Sequence, residues 1–239
     1  PPFSGCDDFG LSASMHPAKE VGGDFYDFFL IDQDHCGVVI ADVSGKGVPA
    51  ALFMMRVKAL LNQLLREDLS PDQVLARAND GLCEDNEAGM FVTVWLGVLD
   101  LRSGKLVYAN GGHTPPLYRH ADGSVEWMRD RSGLLLGSFE GVPYRVFERT
   151  MIRGDSLILY TDGVTEAMDA SDHCYGDERL FQLVERECDG YPASVSGVIE
   201  EDVRAFAEGA DQADDITLLV LRYDGQENGP AASAAGNRG

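Results

Sequence analysis

The chain has 239 residues, with 44% hydrophobic and 25% charged side chains, which is typical of globular proteins long enough to bury a core. Its 40 acidic residues outnumber 19 basic ones and give a formal net charge of −21, which disfavours nucleic acid and anionic membranes as partners. The chain shows neither an apolar run near the roughly 18 residues of a membrane span nor a signal sequence. The five cysteines are too widely spaced for a zinc site, and their odd number indicates reduced thiols, so we expect a cytoplasmic protein.

Apolar periodicity and turn-forming residues predict a mixture of strands and helices along the chain. In chain order they predict strands over 25–31 and 37–41, helices over 49–67 and 70–82, strands over 91–99, 105–110, 117–119, 125–128, 144–149 and 156–160, helices over 177–188 and 192–208, and a last strand over 216–222. There is no repeat and no internal linker, so we expect one α+β domain over residues 1–224. The tail over 225–239 is rich in Gly, Ala and Asn and is predicted to be disordered.

Acidic residues stand where several predicted strands meet turns. Asp24 precedes the first strand and Asp42 follows the second, so a hairpin would bring both carboxylates to the same open end. Asp162 follows a later strand, and the pair Asp214 and Asp215 precedes the last one. Any one of these is readily explained without function, because aspartate is common in turns.

Carboxylates that converge at one place need partners. Two unit charges about 4 Å apart repel by about 4 kcal/mol at the effective dielectric constant of a protein surface. A cluster would therefore require protonation or cations, and a set of oxygen ligands favours Mg²⁺ or Mn²⁺.

Other polar residues near these acids have simpler interpretations. The segment 44–47 lacks the spacing of a phosphate-binding P-loop, and we interpret Lys46 as a solvated lysine rather than a phosphate ligand. We interpret His113 as a hydrogen-bonded loop anchor rather than an acid or a ligand. Asp27 lies an odd number of residues from Asp24 and should point to the opposite face of its strand.

Seven stretches, in order across most of the chain, resemble the bacterial metal-dependent serine/threonine protein phosphatases of the PPM (protein phosphatase 2C-like) family, SpoIIE/RsbU branch. The stretches are EVGGDFYDFF (20–29), IADVSGKGVPAALFM (40–54), MFVTVWLGVLD (90–100), LVYANGGHTPPLY (106–118), GDSLILYTDGVTEAMD (154–169), YGDERL (175–180) and ADDITLLVLR (213–222). Each is weak alone, but their order makes the resemblance highly specific.

The resemblance implies a four-layer αββα sandwich, with two antiparallel sheets flanked by helices, and two Mn²⁺ or Mg²⁺ ions at one end. Asp42 would bridge the two ions, and Asp24 would contact an ion or support the residues that do. The implied catalytic and metal-binding residues are Asp24, Asp42, Val43 through its carbonyl, Asp162 and Asp214, with Asp215 as the less favoured alternative to Asp214. Strand parity does not separate the last two, because either face of that strand would be apolar.

The implied reaction is hydrolysis of phosphoserine or phosphothreonine on a regulatory protein by a water activated at the two ions, with no cysteine nucleophile. The implied substrate is a phosphorylated anti-sigma-factor antagonist of the STAS type, in stress-response signalling. Eukaryotic relatives carry a histidine after the metal-binding Asp-Gly. None follows Asp42 here, so the acid for the leaving group stays unidentified.

Two other functions stay open at this point. A catalytically silent binding or scaffold module would be expected to lose one of the four acids, and none is missing. A hydrolase of small phosphoesters would share the same site.

The chain begins at Pro1, so we interpret it as a processed chain or an excised domain with a regulatory segment upstream. The exposed part of the helix over 49–67 is expected to meet a partner or a second copy in a homodimer.

Overall fold

The computed structural model describes residues 9–67 and 69–225, whose strands and helices form four layers. In chain order the elements are β1 (Phe9–His16), β2 (Phe25–Leu30), β3 (His35–Val43), α1 (Val48–Leu64), α2 (Pro71–Cys83), β4 (Val92–Asp100), β5 (Lys105–Gly111), β6 (Leu117–Arg119), β7 (Val125–Trp127), β8 (Phe147–Thr150), β9 (Ser156–Tyr160), α3 (Asp162–Thr165), α4 (Asp177–Glu187), α5 (Pro192–Phe206) and β10 (Ile216–Tyr223).

Two antiparallel sheets of five strands pack face to face in the middle of the molecule. The front sheet has the strand order β2-β3-β4-β5-β8, and the back sheet has the order β1-β10-β9-β6-β7. Helices α1 and α2 cover the outer face of the front sheet, and α4 and α5 cover the outer face of the back sheet. The expected αββα sandwich is therefore confirmed.

Strand β3 shows why the sequence favours this layering. Val39 and Ala41 pack towards α1 and α2, whereas Val38 and Ile40 pack into the space between the sheets. Successive side chains of a strand point to opposite faces, so a strand buried on both faces is apolar throughout. Asp42 continues the even-numbered face, so its side chain belongs to the space between the sheets.

Helix α1 packs one stripe of side chains onto the front sheet. Its buried residues recur every three or four positions, as expected for one face of a helix: Ala50, Phe53, Val57, Leu61 and Leu64. The helix follows Gly47, whose φ of 77° suits glycine, and Pro49 lies in its first turn. At the start of α2, the Ser70 N–H donates to the Gln73 side chain at 3.2 Å, which is one half of a capping box.

The structure also corrects the predicted elements. Strand β1 was not predicted, because its sequence FGLSASMH mixes small and polar residues; it forms the edge of the back sheet beside β10. The last short strand of the front sheet is Phe147–Thr150 rather than 144–149, and Asp162–Thr165 forms a single helical turn. Residues 226–239 of the predicted tail, and residues 1–8 with Cys6, lie outside the described residues, and the single domain stays a prediction. Across the described residues, no helix combines the length and the apolar character that crossing a bilayer requires.

Candidate functional site

The hairpin of β2 and β3 brings Asp24 and Asp42 together, as the sequence predicts. Phe25 pairs with Ala41, so the next position towards the open end places Asp24 opposite Asp42. Asp24 is only 3% exposed, and it reaches the back sheet. The hydroxyls of Thr161 and Thr217 both donate to its Oδ2 at 2.7 Å. Asp24 therefore joins the two sheets at this end of the sandwich.

The first two carboxylates are crowded enough to change their protonation. Burial raises the pKa of Asp24 to about 7, although the two threonine hydroxyls oppose the shift. Burial, together with the negative charges of Asp24, Asp162 and Asp214, raises the pKa of Asp42 to about 9. Burial and mutual repulsion therefore favour the neutral form of Asp42 at pH 7 and bring Asp24 close to half protonation. We refer to Asp24, Asp42, Asp162 and Asp214 as the acid cluster.

Asp162 enters the cluster from the first turn of α3. Burial raises its pKa, and the charges of Glu166 and Asp214 add to the effect, while the Gly163 N–H and Lys46 oppose it. A Cβ at position 163 would lie 2.0 Å from the carbonyl oxygen of Asp215. Glycine is therefore required for this turn to approach the segment before β10.

The structure separates Asp214 from Asp215, which the sequence left open. Asp215 is buried, and its carboxylate accepts hydrogen bonds from the N–H groups of Ala18 and Gly23 at 2.8 Å. A Cβ on Gly22 would lie 2.3 Å from Asp215 Oδ2, so this carboxylate anchors a glycine-dependent loop. Asp214 is half-buried, and its negative charge acts on Asp42. The charge of Asp214 also acts on Asp162, whereas that of Asp215 acts on Asp24, so the Asp214 carboxylate is the one not held by backbone N–H groups of the loop before β2.

Lys46 is exposed to solvent, as the sequence predicts, and it also forms an ion pair. Its Nζ lies 2.9 Å from Asp214 Oδ2 and also contacts the carbonyl of Ala213. The same charge lowers the pKa of Asp162. Lys46 thus places a positively charged ammonium beside two carboxylates of the cluster, where it partly neutralises their charge.

The donor atoms of the cluster suit a hard cation, although the side chains as they stand do not form a complete site. Within residues 9–67 and 69–225, no three His, Cys, Asp or Glu side chains are arranged to hold a metal ion. Asp214 is engaged by Lys46 and Asp24 by the two threonines. All the donors are oxygens, and a Cβ at Gly23 would crowd the Val43 carbonyl at 3.0 Å, so glycine leaves that oxygen accessible. The residues present therefore fit Mg²⁺ or Mn²⁺ once Lys46 leaves Asp214.

His113 is a buried anchor of its loop, as predicted. Its Nδ1 lies 2.8 Å from Thr93 Oγ1, and its backbone N–H donates to Asn110 Oδ1 at 2.7 Å. Its Nε2 faces the Tyr160 carbonyl without a hydrogen bond of ordinary geometry. Burial lowers the pKa of His113 to about 4, so the imidazole is neutral at pH 7 and has no proton to give as a cationic acid.

Asp27 lies apart from the cluster, also as predicted. Its Oδ2 accepts a hydrogen bond from Asn62 at 3.0 Å and lies 3.5 Å from Lys58 Nζ, and both partners belong to α1. Its side chain therefore points to the helix-covered face of the front sheet. This separation makes Asp27 a matched control for substitutions in the cluster.

Thr161 and Thr217 are partners of Asp24 that the sequence does not predict. No local pattern identifies them, because they lie 137 and 193 positions away along the chain. The parity of β9 and β10 is the one usable signal, since Leu159 and Leu219 also face the space between the sheets. The glycines at 23 and 163 were quoted within motifs, but their packing roles depend on the facing loop.

Comparison with known proteins gives the family. The model of the family described as Stage II sporulation protein E (SpoIIE) matches residues 32–224. The chain belongs to the SpoIIE family. Phosphoserine phosphatase RsbU of Bacillus subtilis is 30% identical over 212 residues, covering 89% of this chain and 62% of RsbU. Protein IcfG of Synechocystis is 29% identical over 238 residues, covering 88% of this chain and 37% of IcfG. This SpoIIE-family chain thus spans only part of the length of the relatives it matches.

Solved structures agree with the fold. The PP2C domain of SiaA from Pseudomonas aeruginosa superposes with a TM-score of 0.80 at 21% identity, covering 90% of this chain and 86% of that domain. The structure of RsbX in complex with magnesium superposes with a TM-score of 0.67 at 15% identity, covering 90% of this chain and 96% of RsbX. At these identities the similarity establishes the two-sheet, helix-flanked fold.

Proposed function

We propose that this SpoIIE-family chain is a metal-dependent phosphatase that hydrolyses phosphoserine or phosphothreonine on a protein. The observation that carries the proposal is the convergence of four aspartates, from separate parts of the chain, at one end of the space between the sheets. The similarity to RsbU, which is named a phosphoserine phosphatase, supports the same reaction class.

We assign the metal-binding roles to the cluster and to one backbone oxygen. Asp42, Asp162, Asp214 and the Val43 carbonyl would hold two Mn²⁺ or Mg²⁺ ions. Asp24, fixed by two threonine hydroxyls, would set the position of Asp42 across the hairpin. When bound, divalent ions lower the pKa of water and neutralise phosphate charge, which suits hydrolysis in a protein of net charge −21.

We propose a phosphorylated regulatory protein of the STAS type as the substrate. The support is the similarity to RsbU and to RsbP, a phosphoserine phosphatase of Bacillus subtilis that is 27% identical over 219 residues. A cysteine nucleophile is not required. Cys36 lies in the core between the sheets, and burial raises the pKa of Cys188 to about 11, which leaves its thiol protonated.

The test is a titration of Mn²⁺ and Mg²⁺ against hydrolysis of a phosphorylated STAS-domain protein, with a chelator control. We expect hydrolysis only with metal, and a loss of at least about 100-fold in Asp162→Asn. Asp27→Asn is the matched control and should retain activity, because Asp27 contacts α1 instead of the cluster. If the parent protein hydrolyses no phosphoprotein with either metal, the phosphatase proposal fails and a catalytically silent scaffold is favoured. If it hydrolyses only small aryl phosphates, a hydrolase of small phosphoesters is favoured.

A further inference from the structure

A cavity of about 610 Å³ opens beside the acid cluster. It lies between the last turns of α5, the turn after α3 and the segment 210–214 before β10. Lys46, Gly163 and Asp214 line this cavity and also belong to or contact the cluster. A molecule held in the cavity would therefore lie directly against the proposed reaction centre.

The cavity has an apolar floor and a mainly acidic rim. The floor is formed by side chains from the end of α5 and the residue after it, from β10 and from the turn after α3: Ala167, Val203, Ala207, Ile216 and Leu218. At the rim, Glu166, Glu208 and Asp211 are exposed and outnumber Arg204. Glu200, also in the lining, is another acidic side chain, and its Oε1 lies 3.7 Å from His16 Nε2.

We propose that this cavity is the site that recognises the substrate polypeptide around the phosphorylated residue. It would take an apolar side chain next to a lysine or arginine, within roughly three residues of the phosphoserine, a reach of about 10 Å. This inference rests on the proposed phosphatase function and adds to it the chemistry of the preferred substrate.

The volume and the charge favour this occupant. Pockets for drug-sized ligands commonly measure about 300–1,000 Å³, so the cavity is large enough for one or two side chains of a bound segment. A rim with three carboxylates and one guanidinium attracts a cationic side chain and repels a free anion or a nucleic acid. In a polypeptide segment that combines an apolar and a basic side chain, the first would pack on the apolar floor and the second would pair with the acidic rim.

The first experiment fills the cavity. Ala207→Trp places an indole on the floor, and Ala205→Trp, at an exposed position near the end of α5 and outside the lining, is the matched control. With Mn²⁺ and a phosphoserine peptide that carries Leu and Arg beside the phosphoserine, we expect Ala207→Trp to raise KM at least tenfold and to leave hydrolysis of a small aryl phosphate unchanged. Ala205→Trp should behave like the parent.

The second experiment reverses the rim charge without touching the core. Glu208→Lys combined with Asp211→Lys should abolish the preference for Arg over Glu beside the phosphoserine, whereas Glu201→Lys, outside the lining, should preserve it. Equal KM values for the two peptides in the parent, or an unchanged KM in Ala207→Trp, would overturn the inference while leaving the phosphatase proposal intact. If the parent hydrolyses no substrate, fluorescence anisotropy with the same peptides decides the inference separately: binding that is lost in Ala207→Trp supports it, and binding that persists refutes it.

Discussion

Replacing Asp42 by Asn should stabilise the metal-free protein while abolishing metal-dependent hydrolysis. The folded protein keeps Asp42 protonated up to a pKa of about 9, whereas the unfolded chain releases that proton above about 3.8. Folding must therefore take up a proton, and the free energy of unfolding falls as the pH rises from about 4 towards 9. Asparagine has nearly the shape of a protonated aspartic acid and needs no proton.

The size of the effect follows from the same pKa values. A pH of 7.5 lies about 3.7 units above 3.8, the pKa of Asp42 in the unfolded chain. At about 1.4 kcal/mol per pH unit, keeping Asp42 protonated costs the folded state at most about 5 kcal/mol. Asp42 is only half-buried, so solvent screens part of this cost. We expect the free energy of unfolding in Asp42→Asn to exceed that of the parent by about 2–5 kcal/mol at pH 7.5, and the gain to shrink towards zero near pH 4.

The assay is urea unfolding with a chelator present, followed by tryptophan fluorescence. Trp95 is fully buried between the sheets and reports their separation. Asp122→Asn is the control for the same chemical change, because hydrogen bonds from Ser124 lower the pKa of Asp122 and its replacement should slightly destabilise the protein. An Asp42→Asn protein no more stable than the parent across pH 4–9 would refute the crowding of carboxylates on which the proposed site depends.

Lys46→Met removes the ammonium that competes with metal ions for the acid cluster, so calorimetry should show Mn²⁺ binding about threefold tighter. Lys58→Met, away from the cluster, should leave the Mn²⁺ affinity unchanged. Unaltered Mn²⁺ binding in Lys46→Met would contradict the competition. Gly163→Ala places a Cβ 2.0 Å from a backbone carbonyl and should cost about 1–3 kcal/mol in urea unfolding. Gly197→Ala, at an open helical position, should instead gain up to about 1 kcal/mol, and equal stability of the two variants would argue against the close approach. His113 has a folded pKa of about 4, below its usual 6.5, so it favours the folded state above pH 6.5 and this contribution is lost as the pH falls to 4. The stability difference between the parent and His113→Gln should therefore change by about 3 kcal/mol over that range, and a pH-independent difference would contradict a buried neutral imidazole.

From the sequence alone, the hairpin and the strand-turn boundaries were predictable, and with them the meeting of Asp24 and Asp42. Two strands joined by a short turn pair in a register that the turn sets, so the register of β2 and β3 depends only on residues close together in the sequence. Alternation along a strand likewise predicted that Asp27 points away from Asp24. The family motifs supplied the layers and the remaining acids, but not their partners.

Tertiary structure decided what neutralises each acid. The difference in hydrogen bonding between Asp214 and Asp215 depends on a loop almost 200 positions earlier, whose N–H groups bind the Asp215 carboxylate. The threonines that hold Asp24 come from the opposite sheet. The hydrogen-bond register of an antiparallel pair specifies which residues of adjacent strands are neighbours. The packing of one sheet on the other depends instead on the side chains of both sheets. Only the assembled sandwich therefore shows that Lys46 and two threonines are the groups that compensate the crowded carboxylates.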